Sequence, residues 1–474
     1  MADDWATFGA DLHLELRGPG LRDGLMNALR EAVRGGRLTA GTRLPSSRQL
    51  AADLGVARNT VADAYAELVA EGWLTARQGS GTRVARRSAP RPAPRRVRPE
   101  GPAAPPRPRP GKPTYNLRPG TPDLASFPRA DWLKAARKAL TNAPHEAFGY
   151  GDPQGRTEMR TVLAEYLARA RGVHAAPERI VLCSGFVHGL MLMGQVLKAR
   201  GVAEVAVESY GLDIHWDLIR RAGIRMPALP TGEHGTRTEE LGGIGYADVG
   251  AVLMTPAHQF PTGGALQPDR RAAAVDWARA GGGLILEDDY DGEFRYDRQP
   301  VGALQGLDPE RVVYLGTASK SLAPGLRLAW MVLPEDLVDE VVAAKGKVDW
   351  VSSATDQLTF AEFLASGAYD RHVRAMRLRY RRRRDQLVAA VAERSPTTRI
   401  SGIAAGLHAV LELPEGTEES VLRSAAFQGL ALLGINRFRH PDTPRTRDAL
   451  VVGYGTPPDS AWSGALEALC RVLP

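Results

Sequence analysis

The chain has 474 residues, of which 43% are hydrophobic and 24% charged, a balance typical of globular proteins with two or more domains. No apolar run is long enough to span a membrane, and the acidic start Met1-Ala2-Asp3-Asp4 is not a signal peptide, so we expect a cytoplasmic protein without a membrane partner. Its two cysteines exclude a disulfide framework, and no Cys/His cluster has metal-ligand spacing, so no metal site is expected.

The N-terminal residues predict three helices. Apolar residues recur at helical spacing over 21–35, where two glycines end the first helix. Ser46 and Gln49 form a capping box that opens a second helix, which ends at Gly55. A third helix covers about 58–71. Two short helices across a tight glycine-containing turn are typical of the helix-turn-helix, whose second helix enters the major groove of DNA.

The third helix begins with residues suited to reading DNA, namely Arg58, Asn59 and Thr60. Arginine pairs with guanine and asparagine with adenine, whereas threonine reaches a phosphate or a methyl group. Residues 73–84 then predict a hairpin with a glycine-rich tip, a wing able to lie on phosphates or in the minor groove. Short helix pairs are also common in all-α cores, so periodicity alone leaves a structural alternative open.

This part of the chain resembles the winged-helix domain of GntR-type bacterial regulators. The resemblance covers about residues 13–85 and is carried by 44–51 (LPSSRQLA), 54–61 (LGVARNTV) and 71–74 (EGWL). It implies contacts with a double-stranded DNA operator. The implied contact residues are Arg48, Arg58, Asn59, Thr60, Gln78 and Gly79.

Residues 86–114 form a predicted linker. Most of the net charge of +7 lies here, because residues 88–114 carry seven Lys or Arg against one Asp or Glu. The same residues include ten prolines, a density that prevents helix and sheet ladders and predicts a semi-rigid spacer. The arginines would add either non-specific attraction to phosphate or only solubility and reach, and composition favours neither.

From residue 115 onward, apolar strand candidates alternate with helical patterns. This alternation predicts a mostly parallel sheet with helices on both faces and ligands at the carboxyl ends of its strands. An arginine-rich run over 371–384 is interpreted as the solvated face of a long helix leading to a smaller C-terminal domain, about 395–474. The candidate strands are 179–182, 205–207, 251–254, 284–286, 312–315 and 326–333.

The segment 316–330 sets Lys320 after an apolar run. A partly desolvated amine is nucleophilic and can form a Schiff base with an aldehyde. Thr317 and Ser319 offer short hydroxyl donors to a phosphate, and Arg327 offers a planar fork with permanent charge. The segment therefore favours chemistry on an aldehyde that carries a phosphate.

Two other strand ends offer groups for the same ligand. Residues 182–189 follow the first strand and begin a helix, whose N-terminal N–H groups can bind a phosphate. Gly185 has no side chain and so lets the phosphate come close to the backbone. Residues 287–290 end the fourth strand with carboxylates and a tyrosine. A carboxylate can keep a pyridine nitrogen protonated, and a tyrosine hydroxyl can hold a ring oxygen. Acidic residues at a strand end are otherwise commonly solvated.

Together these segments resemble the fold-type I aminotransferases, which use pyridoxal 5′-phosphate (PLP), and more closely the MocR group of GntR-type regulators. The match runs through residues 119–123, 149–155, 258–263, 287–291 and 316–330 and covers nearly the whole chain. It implies PLP bound as a Schiff base on Lys320, Asp288 on the ring nitrogen and Tyr290 on the ring oxygen. The implied cofactor set is Ser184, Gly185, Phe186, Val187, Asp288, Tyr290, Thr317, Ser319, Lys320 and Arg327, with Tyr150 reaching in from the other subunit of a head-to-tail homodimer.

The expected fold class is therefore α/β. A winged helix-turn-helix (13–85) and a linker (86–114) precede a fold-type I PLP-dependent aminotransferase-like domain (115–474). This last domain is expected to combine a large α/β part, with a mostly parallel sheet, and a small C-terminal α+β part.

Three positions depart from the aminotransferase pattern. Phe260 stands where these enzymes usually carry an asparagine that touches the ring oxygen, and Leu212 stands where the family often has a tyrosine. Val451 occupies the position of the arginine that binds the substrate carboxylate. Losing that clamp removes a large part of the affinity for amino acids.

The leading hypothesis is a PLP-binding transcriptional regulator, not an enzyme. A small-molecule effector, either PLP itself or an amine exchanging with Lys320, would modulate operator binding and so control vitamin B6 or amino-acid and amine metabolism. Val451 makes PLP the expected effector. The alternatives are an active aminotransferase with a fused DNA-binding module and a winged helix that serves only dimerisation.

Overall fold

The computed structural model describes residues 20–77, 81–86, 113–232, 234–296, 301–347 and 349–474. The chain divides into two units, Met1–Arg109 and Pro110–Pro474, which we call the N-terminal and the C-terminal unit. Among the described residues, no helix combines the length and the apolar character that a membrane span requires.

The N-terminal unit is a three-helix arrangement with a hairpin. Its elements are α1 (Leu21–Arg34), α2 (Ser47–Leu54), α3 (Arg58–Ala70), β1 (Leu74–Arg77) and β2 (Gly81–Val84). Ser46 Oγ accepts a hydrogen bond from Gln49 N at 3.2 Å, and Gly55 ends α2 with a φ of 66°. Because these signals are local, the predicted helix boundaries agree with the structure to within one residue.

The core of this unit lies between α1 and α3. Leu25 and Leu29 face Val61 and Leu68, and all four are at most 2% exposed. Burying such a side chain stabilises a fold by about 1.5–3 kcal/mol. Tyr65 also donates to the carbonyl of Pro45 at 3.1 Å, which ties α3 to the residues before α2. The winged helix-turn-helix is thus confirmed.

The C-terminal unit contains ten helices among the described residues. They are α4 (Arg129–Asn142), α5 (Thr157–Arg171), α6 (Phe186–Ala199), α7 (Asp213–Arg221), α8 (Pro268–Gly281), α9 (Val338–Gly346), α10 (Ala354–Ala365), α11 (Ala368–Arg394), α12 (Glu418–Phe427) and α13 (Asp459–Val472).

Its strands form one large sheet and several small ones. They are β3 (Tyr115–Asn116), β4 (Ile180–Cys183), β5 (Glu204–Glu208), β6 (Ala228–Leu229), β7 (Thr231–Gly232), β8 (Gly235–Thr236), β9 (Val249–Met254), β10 (Leu284–Asp289), β11 (Val312–Thr317), β12 (Ala329–Val332), β13 (Ile400–Ser401), β14 (Ala409–Leu413), β15 (Leu430–Ala431), β16 (Leu433–Gly434) and β17 (Asp448–Val452).

The large sheet has the order β4-β12-β11-β10-β9-β5-β6. Only β12 runs antiparallel to its neighbours, so the predicted mostly parallel sheet is confirmed and all six candidate strands belong to it. The last candidate is shorter than expected because Pro324–Leu326 form a 3-10 turn and Arg327 adopts a left-handed φ of 54°. This turn reverses the chain after Lys320.

The smaller part is an antiparallel sheet in the order β13-β14-β17-β16, with α12 and α13 beside it. Near the start of the unit, β3 pairs with β15 and adds Leu117 to the core of this part. The small α+β part is therefore confirmed, although it also recruits residues from the beginning of the unit.

The arginine-rich run lies on α11, and its interpretation as a solvated face is wrong for Arg383. This side chain is 1% exposed, donates to the carbonyls of Tyr454 and Pro457, and pairs with Asp123 and Asp459. One face of α11 packs against the loops that carry Asp123, Tyr454 and Pro457 and against the start of α13. The solvated members are Arg371, Arg374, Arg381 and Arg382.

Candidate functional site

A cavity of about 430 Å³ lies at the carboxyl edge of the large sheet. The parallel strands end at the same edge, so residues distant in sequence meet there. Of the implied cofactor residues, eight line the cavity: Phe186, Val187, Asp288, Tyr290, Thr317, Ser319, Lys320 and Arg327. Ser184 and Gly185 adjoin it at the end of β4, and residues of the small part, including Leu407 and Phe438, form the opposite wall.

Lys320 follows β11 and is only partly exposed. Its Nζ donates to the carbonyl of Gly120 at 2.6 Å. Burial lowers the pKa of Lys320 below its usual value, although the carboxylates of Asp288 and Asp291 oppose this. A lysine in this state releases its proton more readily, which a nucleophilic amine requires.

Asp288 is 7% exposed, and its Oδ1 has no hydrogen-bond partner among the described residues. Burial raises the pKa of this carboxyl well above its usual range, against the pull of Lys320. An unpaired buried carboxylate is unfavourable by itself. The site is therefore suited to a ligand that donates a hydrogen bond to this oxygen, best from a cationic group.

Tyr290 contacts a buried pair that sequence reasoning missed. Its hydroxyl lies 3.0 Å from His258 Nδ1, which lies 2.9 Å from Asp291 Oδ2. The ring of His408 lies beside that of His258, with centroids 4.9 Å apart and the planes tilted by 32°. Atoms of His258, Asp291 and His408 that could ligate a metal ion lie within 4.8 Å of one another. Since His408 Nε2 already contacts the carbonyl of Pro261, we interpret the cluster as a hydrogen-bond network that orients Tyr290.

One end of the cavity is suited to an anion. Gly185 precedes α6 with a φ of 93°, a conformation that favours glycine, and the absence of a Cβ also leaves room for the Arg327 guanidinium. Arg327 Nη2 donates to the carbonyl of Ser184 at 2.6 Å. Thr317 and Ser319 hydroxyls lie 2.8 Å apart on the facing strand end. The N-terminus of α6, the two hydroxyls and the guanidinium thus meet at one end of the cavity, where they can bind an anion.

Asp349 adds a carboxylate to this end of the site. Ser184 Oγ donates to Asp349 Oδ2 at 2.8 Å, and His188 lies 3.9 Å from the same oxygen. The two residues of the first contact are 165 positions apart, so no spacing pattern indicated it. The Ser184 hydroxyl must exchange this partner before it can contact a phosphate.

Tyr150 lies outside the cavity of its own chain, and its side chain is 98% exposed. Its contact with a neighbouring subunit stays a prediction. Of the three positions that depart from the aminotransferase pattern, Leu212 and Phe260 line the cavity. Val451 is instead fully buried on β17, in an apolar cluster that includes Tyr210 and Phe438.

The candidate DNA-reading residues lie at the surface of the N-terminal unit. Arg48 on α2 and Arg58 and Asn59 at the start of α3 are exposed, and Thr60 is half-buried. These residues can reach a ligand without any change in the core. Gln78 and Gly79 lie outside the described residues.

Comparisons with known proteins agree with both units. Residues 21–84 match the bacterial regulatory proteins of the gntR family, and residues 114–447 match the aminotransferase class I and II family. The HTH-type pyridoxine biosynthesis transcriptional regulator PdxR of Corynebacterium glutamicum is 33% identical over 415 residues, 87% of this chain and 88% of PdxR. The probable rhizopine catabolism regulatory protein MocR of Rhizobium meliloti is 31% identical over 448 residues, 91% and 89% of the two chains.

A solved structure also matches the fold. An archaeal alanine:glyoxylate aminotransferase aligns with a TM-score of 0.69 and 24% identity, over 76% of this chain and 90% of its own. At this identity the likeness concerns the fold alone.

Proposed function

The chain belongs to the MocR subfamily of GntR-type transcriptional regulators, and on this premise we propose that it binds PLP at Lys320 and couples that binding to a DNA operator. The observation that carries the proposal is the unpaired, buried Oδ1 of Asp288 in the wall of the cavity that holds Lys320. A pyridinium N–H is a cationic donor and would satisfy this carboxylate.

The remaining cavity residues fit PLP as well. Bound PLP supplies an aldehyde to an amine and a ring that withdraws electrons. Thr317, Ser319 and Arg327, together with the start of α6, would hold its phosphate. Burial raises the pKa of Tyr290 well above its usual range, so its hydroxyl stays protonated and can donate to the ring oxygen.

The residues around this ligand would exclude water. Leu212 and Phe260 present apolar groups to the cavity where aminotransferases present polar ones. Val451 presents no group to the cavity, because it is buried in the small part. These replacements support PLP itself, rather than a simple α-amino acid, as the effector. Occupancy of this site would shift a homodimer between arrangements that differ in affinity for the operator. The cofactor site and the DNA-binding site would thereby be coupled.

A slow transaminase activity is the second candidate, because Lys320, Asp288 and Arg327 share one cavity and the unit has an aminotransferase fold. Phe260 and Val451 oppose efficient turnover. We therefore expect rates far below the 1–1000 per second that are typical, to an order of magnitude, of enzymes.

Footprinting of the DNA upstream of neighbouring genes, with full-length protein and with or without PLP, tests the proposal. We expect PLP to change the protected region or the affinity, and the Lys320→Ala variant to bind DNA without this response. Binding that ignores PLP and responds to an amino acid would overturn the proposal. Spectra of the same samples should show a yellow species that Lys320→Ala lacks.

A further inference from the structure

The cavity contains an arginine to which the proposed cofactor gives no role. Arg437 lies in a short 3-10 turn, Ile435–Phe438, directly after β16. It lines the cavity together with Asp213, the first residue of α7. The turn belongs to the small part and α7 follows the large sheet, so this pair lies where the two walls of the cavity meet.

The partner of Arg437 can be exchanged. Arg437 Nη2 donates to Asp213 Oδ2 at 2.7 Å, but the two side chains are 57% and 48% exposed. An ion pair between groups this exposed contributes roughly 0–1 kcal/mol. A carboxylate on a ligand can therefore replace Asp213 at little cost, and the guanidinium can bind it with two parallel hydrogen bonds.

The other basic side chains of the lining are engaged or neutral. Lys320 and Arg327 would serve the aldehyde and the phosphate. Burial lowers the pKa of His215 to about 4, with a smaller contribution from Lys320. Burial also lowers the pKa of His408 well below its usual range. Among the described lining residues, Arg437 is thus the permanent cation left to meet an anion.

The surroundings of Arg437 indicate the rest of the ligand. Leu212 and Phe260 line the cavity, and Phe438 packs edge-on against Phe260 with ring centroids 5.0 Å apart. A ligand that spans from Lys320 to Arg437 therefore crosses an apolar wall. Hydrocarbon suits the middle of such a ligand, because polar groups against this wall would lose hydrogen bonds to water.

We infer that Arg437 is the anion-binding residue of the effector cavity, and that it selects amines bearing a carboxylate or another anion on an apolar chain. Asp213 occupies Arg437 until such a ligand replaces it. The placement of the amine rests on the proposed role of Lys320, whereas the anion contact does not. The ligand class is thus a second kind of effector, which the cavity would accept beside PLP.

The test compares amines that differ only in a carboxylate, added to the full-length protein with PLP and followed by the cofactor absorbance. Suitable pairs are β-alanine with ethylamine and 5-aminopentanoate with butylamine. We expect the acid member of at least one pair to bind roughly 10- to 100-fold more tightly, the value of a charged hydrogen-bonded contact. Arg437→Gln should abolish this preference, and Arg437→Lys should keep part of it.

Two further variants make the result specific. Asp213→Asn should strengthen binding of the acid members several-fold, because it removes the competing carboxylate. Arg423→Gln, at an exposed arginine on α12 outside the cavity, should change nothing. Equal binding of acid and amine in the unmodified protein for both pairs, or a preference that survives Arg437→Gln, would overturn the inference.

Failure of the cofactor proposal can be separated from failure of this inference. If added PLP produces no yellow species, the proposed role of Lys320 fails, and ligand-observed NMR with propionate then decides the anion contact. A propionate signal that Arg437→Gln removes would support the inference. The absence of such a signal, or one that persists in the variant, would contradict it.

Discussion

The guanidinium of Arg383 and the carboxylate of Asp123 form an ion pair at 3.2 Å in which each side chain is only 1% exposed. Without Arg383 the Asp123 carboxylate would keep, among the described residues, only the half-exposed Arg379, at 3.4 Å, as a cationic partner, and breaking a buried pair costs about 3–5 kcal/mol. We therefore expect Arg383→Ala to lower the free energy of unfolding of the protein by about this amount, measured by denaturant titration. Arg382→Ala, at the exposed neighbouring position, should change it by about 0.5 kcal/mol at most. Equal effects of the two variants would refute the buried role of Arg383.

Replacement by asparagine should change the melting temperature in opposite directions at the adjacent residues Asp288 and Asp289. Burial raises the pKa of Asp288, so the folded protein without PLP is destabilised as pH rises above the usual aspartate range, where the unfolded chain is already ionised. Asp288→Asn should therefore raise the melting temperature of the PLP-free protein at alkaline pH while it weakens PLP binding.

Asp289 provides the matched control for that substitution. It pairs with Arg171 at 2.7 Å, with side chains 1% and 3% exposed. Asp289→Asn should lower the melting temperature at the same pH, because it leaves the Arg171 charge buried without its partner. Melting curves recorded with and without PLP give both quantities. A decrease in melting temperature for Asp288→Asn would show that its carboxylate has a protein partner.

Glu293 should make the stability of the protein depend on pH. Burial, followed by the charge of Asp289, raises the pKa of Glu293 from 4.5 to about 7. Between these values the folded protein keeps a proton that the unfolded chain releases, so the free energy of unfolding falls as pH rises through this window and levels off above it. Glu293→Gln, which keeps an acceptor for Tyr166 and Tyr369, should flatten that slope in denaturant titrations.

The exposed Glu415 is the control for this measurement, and Glu415→Gln should keep the slope of the unmodified protein. A slope unchanged by Glu293→Gln would assign the pH dependence to another buried carboxyl.

Asn59 should contribute to recognition of the operator. A bidentate contact with a base is worth about 1–3 kcal/mol, so Asn59→Ala should weaken operator binding roughly 5- to 150-fold and relax the sequence preference at one position. Gel-shift titrations with the operator and with single-base variants measure both effects. Arg22→Ala, at an exposed arginine on α1, serves as the control and should keep the affinity within about two-fold. Equal losses for the two variants would point to general electrostatics instead of base reading.

Much of the fold follows from local signals. The cap at Ser46, the glycine at Gly55 and the periodicity of α3 each act within a few residues, so the boundaries of the N-terminal helices could be predicted. The apolar runs that became β9, β10 and β11 were equally clear, because burial on both faces requires continuous hydrophobic residues. Lys320, Asp288 and Tyr290 then followed from their positions at strand ends and from the family resemblance.

Other features depend on which distant segments meet, and spacing along the chain carries no information about that. His258 meets Asp291 across 33 residues, Ser184 meets Asp349 across 165, and Arg437 meets Asp213 across 224. Residue types and their order along the chain were therefore enough to predict the elements, the fold class and the residues at the strand ends. Which charges are buried or paired could be read only from the folded protein, because burial and ion pairing depend on the packing of elements brought together from the whole chain.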